Sequence, residues 1–277
     1  MDDATALRQL ADLPGVVDAI DAARQACTEL RWHQALRRRT DEARAETTAR
    51  AARASAALDG AELPVDLVRD ILRGATTAPE DAVGRTVAGA VRAVSQAQTI
   101  GDVVRSAPLQ ALARLHTAAA AGLVPDSALG RPRAGEEQPL DLPGPGPAPT
   151  GAELTARLSG VAGVLSAPGE VPALVVAAVA HGELLTIRPF LAGNGVVARA
   201  VFRAVVVQRG LDPTGVAAPE TALAASGLAP YVSALRGYAA GTPEGVAGWL
   251  ACCADAVRVG AAHGAQVADA VLAGRLG

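Results

Sequence analysis

Lysine is absent from this chain: all 25 basic residues among its 277 are arginines. They are scattered along helical stretches and do not gather on one face. Codon usage in a GC-rich genome therefore explains the bias better than selection for guanidinium at one anion-binding surface. Aromatic residues amount to only 2%, so the core has to be filled by Ala, Val and Leu. Such small side chains pack closely between helices, which favours helices over sheets. Positive charge is not in excess either. A net charge of -3 and a pI near 5.8 exclude the basic field that draws a protein onto nucleic acid or an anionic membrane. The three cysteines, Cys27, Cys252 and Cys253, are odd in number and lack metal-ligand spacing, which suits reduced thiols in a reducing compartment. The longest apolar run, Val171 to Ala180, is about half of the ~20 residues that span a bilayer. The opening MDDATALRQL has two acids and no basic n-region. The expectation is a cytoplasmic protein with neither a nucleic-acid nor a membrane partner.

What is present is a 50% hydrophobic fraction, ample for one substantial core. Residues 1–58 read as helices interrupted near Leu13-Pro14-Gly15, and the charged stretch from Arg37 to Arg53 reads as a solvated helix with exposed faces. After a break at residues 59–64 a helix runs through Leu72. Val83, Val87, Val91 and Val94 mark an amphipathic helix, and another runs from Pro108 to Ala121. Residues 131–150, RPRAGEEQPLDLPGPGPAPT, are dominated by Pro and Gly and read as an extended loop or internal linker. Helices resume from Glu153 to Leu165 and from Pro172. The Val-rich segment beyond Gly195 is a helix, because Arg199 and Arg203 fall four apart and the segment exceeds strand length. Gly241 closes the Tyr231 helix, and Thr242-Pro243-Glu244 opens the last one. The chain divides into an N-terminal helical region (1–130), the Pro/Gly-rich loop (131–150) and a C-terminal helical core (151–277).

One stretch carries chemistry: HGELLTIRPFLAGNGVVARAVFRAVVVQRGLDP, from His181. A Gly-Asn-Gly turn opening a helix presents amide N–H groups and the positive end of the helix dipole, an anion-binding concavity. Arg188 and Arg199 flank it. A plain interhelical turn carries the same residues, so the turn alone leaves both readings open.

The stretch resembles the signature of the Fic family, His-Pro-Phe-x-(Asp/Glu)-Gly-Asn-Gly-(Lys/Arg)-x-x-Arg. Pro189, Phe190, Gly193, Asn194, Gly195 and Arg199 stand where the family has them, and His181 resembles the histidine of the family's preceding helix. Gly210-Leu211-Asp212-Pro213 looks like the exit turn, Tyr231 to Leu235 like the Tyr-containing helix, and Trp249 like the aromatic of the closing helix. Leu115-His116 resembles the family's Leu-His pair, and Gly130-Arg131 is a weaker echo of the Gly-x-x-Arg that follows it. Ser55-Ala56-Ala57-Leu58-Asp59-Gly60 resembles the inhibitory-helix motif (Ser/Thr)-x-x-x-Glu-(Gly/Asn), with Asp for Glu. The resemblance covers roughly residues 40–260 and implies an all-α Fic-type helical bundle with additional N-terminal helices. It places an inhibitory-like helix at about 40–60 and an active-site-like loop at 188–199.

The departures fall on the chemistry. The family's general base is a histidine, and Arg188 stands there; a guanidinium has no acceptor lone pair. The acidic magnesium ligand is replaced by Ala192, and a methyl group binds no hard cation. Val196 replaces the first arginine of the phosphate-binding pair. General-base catalysis alone contributes ~10²–10⁴-fold, so AMP transfer is expected to be absent, with no catalytic residue, no metal and no cofactor. What remains is an anion site made by Arg188, Gly193, Asn194, Gly195 and Arg199, with Ser55, Asp59 and Gly60 as the inhibitory set. Its ligand would be a phosphate-bearing small molecule or a protein partner, and a homo-oligomer stays open. The rivals are a Fic-fold enzyme of altered chemistry with Arg188 as electrophile, and a structural interaction module with Asp59 filling the pocket. His116 and His181 read as hydrogen-bonded core histidines. Asp59 is expected at a helix end, in contact with Arg199 or Arg188.

Overall fold

Small side chains let these helices approach closely, and the number of helices that share one core follows from that. The computed structural model describes residues 3–141 and 144–275. Among them are thirteen α-helices: α1 Asp3–Ala11, α2 Val16–Arg31, α3 Thr40–Leu58, α4 Val65–Leu72, α5 Ala82–Thr99, α6 Val103–Ser106, α7 Pro108–Ala120, α8 Gly151–Leu165, α9 Ala173–Ile187, α10 Asn194–Gln208, α11 Pro219–Ser226, α12 Leu228–Ala239 and α13 Pro243–Leu272. No β-strand occurs among the described residues; one isolated bridge joins Ala121 and Val124. The all-α expectation holds, and most helix limits fall within two residues of those read from the sequence.

Helices α9 and α10 form the centre. Both are buried nearly all round, as the lack of a polar stripe between Leu174 and Ile187 requires. Around them pack α3, α5 and α7 on one side and α8, α12 and α13 on the other. Local signals set the ends. Asp81 Oδ1 accepts from Gly84 N–H (2.7 Å) at the start of α5, and Thr242 Oγ1 accepts from Gly245 N–H (3.1 Å) at the start of α13. Pro108, Pro219 and Pro243 occupy first-turn positions, where no amide hydrogen is missed.

One reading needs correction, and two features were not foreseen. The segment from Arg37 to Arg53 is not a solvated helix: α3 buries Ala43, Ala49, Ala51, Ala52, Ala54 and Ala56, together with Glu46. Alanine carries too little area to register as an apolar stripe, yet it allows close contact with α5 and α11. Glu46 is satisfied in place by Arg69, at 2.7 Å on each oxygen, and by Arg50 at 2.6 Å. The segment 131–150 is a loop, one of the two alternatives read from the sequence. Its described residues fold against the turn between α9 and α10; Leu142 and Pro143 lie outside the described residues. Finally, α13 is long and apolar enough to cross a membrane by length and composition, which a search for uninterrupted apolar runs overlooks. It packs along α2, α11 and α12 and buries Trp249, Leu250 and Val257 in the common core.

Arg203 on α10 is 1% exposed and forms a two-pronged pair with Glu220 of α11, Nε–Oε1 2.9 Å and Nη2–Oε2 2.6 Å. Sequence spacing gave Arg203 no partner, because Glu220 comes from a different helix. Removing one member strands a buried charge, which costs about 3–5 kcal/mol. Glu220→Ala should therefore lower the unfolding free energy by about that amount in a denaturant titration. A loss under ~1 kcal/mol would show that the pair contributes little.

Candidate functional site

Helix α9 ends at Arg188, whose backbone is left-handed (φ 42°, ψ 68°); it is the one non-glycine residue with positive φ among the described residues. Such a conformation costs about 1–3 kcal/mol and persists only when neighbours enforce it. The enforcing residue is Arg133. Its Nε donates to the Arg188 carbonyl (2.9 Å), its Nη2 to the carbonyls of Ile187 (3.0 Å) and Pro149 (3.1 Å), and its own amide to Pro189 O (2.7 Å).

The turn that follows is closed by Asn194. Its Oδ1 accepts from Phe190 N–H and its Nδ2 donates to Phe190 O, both at 2.8 Å. His116 of α7 supports the turn from behind. Its ring stacks on Phe190 with centroids 4.0 Å apart and planes 5° from parallel, and Nδ1 accepts from Gly130 N–H (2.9 Å). That acceptor role places the proton on Nε2, which donates to Ala192 O at 3.1 Å. Burial pushes the His116 pKa down to about 4, so the ring is neutral. His116 lies outside the cavity, as does His181. The latter is fully buried, 2.7 Å from the Tyr231 hydroxyl and 3.9 Å from Cys253 Sγ, with its pKa pushed by burial down to about 3.

On the open side of the turn the α10 N-terminus forms a cradle. Gly193 supplies the left-handed residue it needs (φ 79°). The cradle holds an anion from the chain itself, the Asp141 carboxylate. Gly193 N–H donates to Oδ1 (2.8 Å), Asn194 N–H donates to Oδ2 (3.2 Å), and Asn194 Nδ2 also donates to Oδ2. Burial raises the Asp141 pKa, the cradle donors pull it down, and the nearby Asp59 carboxylate adds to the rise; the net direction is up.

One turn on, Arg199 is 2% exposed and is matched by α3. Its Nε donates to Ser55 Oγ and its Nη2 to Ser55 O, both at 2.8 Å, and Nη2 pairs with Asp59 Oδ1 at 2.8 Å. Burial works against this charge, but Asp59 and the Tyr231 phenol outweigh it and raise the pKa. Gly195 is glycine because Asp59 comes so close: a Cβ there would lie 2.3 Å from Asp59 Oδ1. The expected contact between Asp59 and Arg199 is thus direct. Gly60 follows as the residue that ends α3 (φ 81°).

All five sequence-predicted anion residues, together with Asp59, Asp141, Thr86 and Tyr231, line one cavity of about 410 Å³, whose walls are otherwise mostly aliphatic. Ser55 sits behind it. Arg188 is 8% exposed and its Nη2 donates to Gly146 O, while its Nε is buried without a partner. Glu183, weighed as a partner for these arginines, instead binds Arg157 (3.0 Å) and the Tyr238 hydroxyl (3.0 Å). Sequence reasoning missed Arg133 and Asp141. Both lie in the Pro/Gly-rich segment, where periodicity is silent; the only signal was a single acid in Leu140-Asp141-Leu142-Pro143. A larger cavity, about 880 Å³, opens between α3, α11 and α13 and holds none of the site residues read from the sequence.

No protein-family model and no curated protein sequence matches the chain. Solved structures do. A Fic family protein from Desulfovibrio desulfuricans is 21% identical with a TM-score of 0.69, covering 88% of this chain and 74% of its own. Fic-1 from C. elegans (residues 134–508) is 17% identical with a TM-score of 0.65, covering 92% and 72%. A Fic-domain-containing signaling protein from Bacteroides thetaiotaomicron is 13% identical with a TM-score of 0.66, covering 91% and 98%. The chain has the Fic fold.

Both buried histidines have folded pKa values below their unfolded value of ~6.5, so the folded state binds fewer protons than the unfolded one. Their contribution to stability is complete above pH ~6.5 and is lost as pH falls towards 4. The unfolding free energy should fall over that window. A His116→Gln variant should show a shallower fall, whatever its baseline, because the raised pKa of Asp141 acts equally in both chains. Parallel slopes for the two proteins would remove His116 from the pH dependence.

Proposed function

Starting from the Fic fold, we propose that this chain is a pseudoenzyme that works by binding an anion, carried by a phosphate-bearing small molecule or by a protein partner. The observation that carries the reading is the carboxylate seated on the amides of Gly193 and Asn194: the loop acts as an anion receptor within the chain itself. The groups that AMP transfer needs are replaced. Arg188 cannot accept a proton from a target hydroxyl. Ala192 offers a magnesium ion no ligand, and the two carboxylates facing the cavity are already committed, Asp141 to the loop and Asp59 to Arg199. No group of three metal-ligating side chains converges among the described residues. The donors on this loop suit an anion and do not fit the family's metal.

The test has two arms. Incubation with labelled ATP and magnesium should give no transfer to the chain or to an added target above background. Label that survives denaturation and disappears with an Arg188 variant would establish an enzyme of altered chemistry. Calorimetric titration with orthophosphate, AMP and ATP should show weak binding, from ~10 μM to millimolar, since two or three charge-assisted bonds act without a metal bridge. Magnesium should not change it, and Asn194→Ala should abolish it. If nothing binds at millimolar concentration, the loop is only a turn and the chain is a structural module.

A further inference from the structure

We infer that Asp141 is a displaceable internal occupant of the anion cradle, which an arriving oxyanion must turn out before it can use Gly193 and Asn194. The inference rests on the anion-receptor reading above. Asp141 does more than cap a helix. A capping side chain ordinarily comes from the residue next to the first turn, but here the N-cap residue is Gly193, and the carboxylate arrives from 52 residues away along the chain. It takes three donors of the turn: the amides of Gly193 and Asn194 and the Asn194 side-chain amide. An external anion cannot use these three donors unless Asp141 leaves.

Two observations favour the exchange of Asp141 for an external anion. First, Arg188 lines the same cavity, more than nine-tenths buried, with its Nε–H unpartnered. It feels the Asp141 carboxylate, yet the two oxygens of Asp141 are spent on the loop. A buried donor left unmade is costly, and a ligand that drew the side chain into contact would satisfy it. A tetrahedral oxyanion has the additional oxygen atoms that a planar carboxylate lacks. Second, the charges in the cavity cancel: Arg188 and Arg199 face Asp59 and Asp141. Asp59 is bound to Arg199, so Asp141 is the counter-charge that remains for Arg188. While it stays, it offsets Arg188; once it goes, that guanidinium, which cannot deprotonate, is left uncompensated.

The seat is also lightly held. The amide of the neighbouring Leu140 donates to Leu191 O at 2.7 Å, and the Leu140 side chain is 71% exposed. Beyond the three bonds that Asp141 makes to the cradle, a side-chain rotation and the loss of that one backbone bond would clear it.

The experiment is a calorimetric titration of the full chain with orthophosphate, comparing wild type, Asp141→Asn and Leu140→Pro. Asp141→Asn keeps the size and removes the charge; Leu140→Pro removes the amide that steadies the seat. Asp141→Asn should bind orthophosphate at least tenfold more tightly than wild type, and Leu140→Pro should shift in the same direction by less. Adding Arg188→Gln to Asp141→Asn should cancel most of the gain, because the partner for the extra phosphate oxygen is then gone. If wild type and both single variants bind equally, the cradle is an anion receptor but Asp141 does not occupy it, and the inference fails while the functional reading stands. If none of the proteins binds, the receptor reading fails and takes this inference with it. Should Asp141→Asn not fold, Leu140→Pro decides between the same outcomes.

Discussion

A guanidinium that cannot lose its proton sits at the junction of α3 and α10. Arg199 is enclosed almost completely, so its charge must be met by acceptors fixed in the protein, and α3 provides three: the Ser55 carbonyl, the Ser55 hydroxyl and the Asp59 carboxylate. That requirement sets the register of α3 against α10, because sliding either helix by one turn, ~5.4 Å, would strand the charge. It also brings Asp59 so near to α10 that residue 195 can carry no side chain. The floor of the cavity, the end of α3 and the glycine in the turn thus depend on one buried cation. Four residues later Arg203 does the same for α11 through Glu220, and α11 in turn packs on α3.

The fold was legible where the sequence is strongly punctuated. Prolines at helix starts, the Val periodicity of α5 and the uninterrupted apolar character of α9 each have a local physical cause, and each was placed correctly. The motif residues were legible too, and the structure shows what they do: Phe190 is the surface on which His116 stacks, and Asn194 ties the turn to itself. Two things were hidden. Helix α3 is buried by alanines, whose small area leaves no hydrophobic stripe to read. Arg133 and Asp141 act across more than fifty residues of chain, from a stretch without periodicity, so no pattern within any window could pair them with Arg188, Gly193 or Asn194.

The exclusive use of arginine has a structural counterpart. Guanidinium groups repeatedly satisfy carbonyls that helix ends and loops leave open. Arg92 reaches Ala118 O and Ala121 O at the end of α7, and Arg209 reaches carbonyls at Leu165, Ala167, Pro168 and Val171 beyond α8. Arg39 does so for Val271 near the end of α13, and Arg53 for Leu63. A planar fork with five donors can bind several carbonyls at once, whereas an ammonium is a single point charge. The Arg133 clasp on the active-site-like turn is one more use of this device, at the point where the backbone is most strained.

The scarcity of aromatic rings leaves this molecule with a simple optical constitution. Trp249 is fully buried, donates to Ala178 O at 2.8 Å, and lies 5.1 Å from the His181 ring and 5.8 Å from Tyr231. Tyr231 both lines the cavity and stands beside Arg199. The other tryptophan, Trp32, is 69% exposed with Arg31 over its ring. Emission from the two indoles therefore separates into a short-wavelength component from the core and a long-wavelength, easily quenched component from the surface. The short-wavelength component originates one ring away from the cavity wall, so the chain carries a native fluorophore that reports on its own site without any label attached.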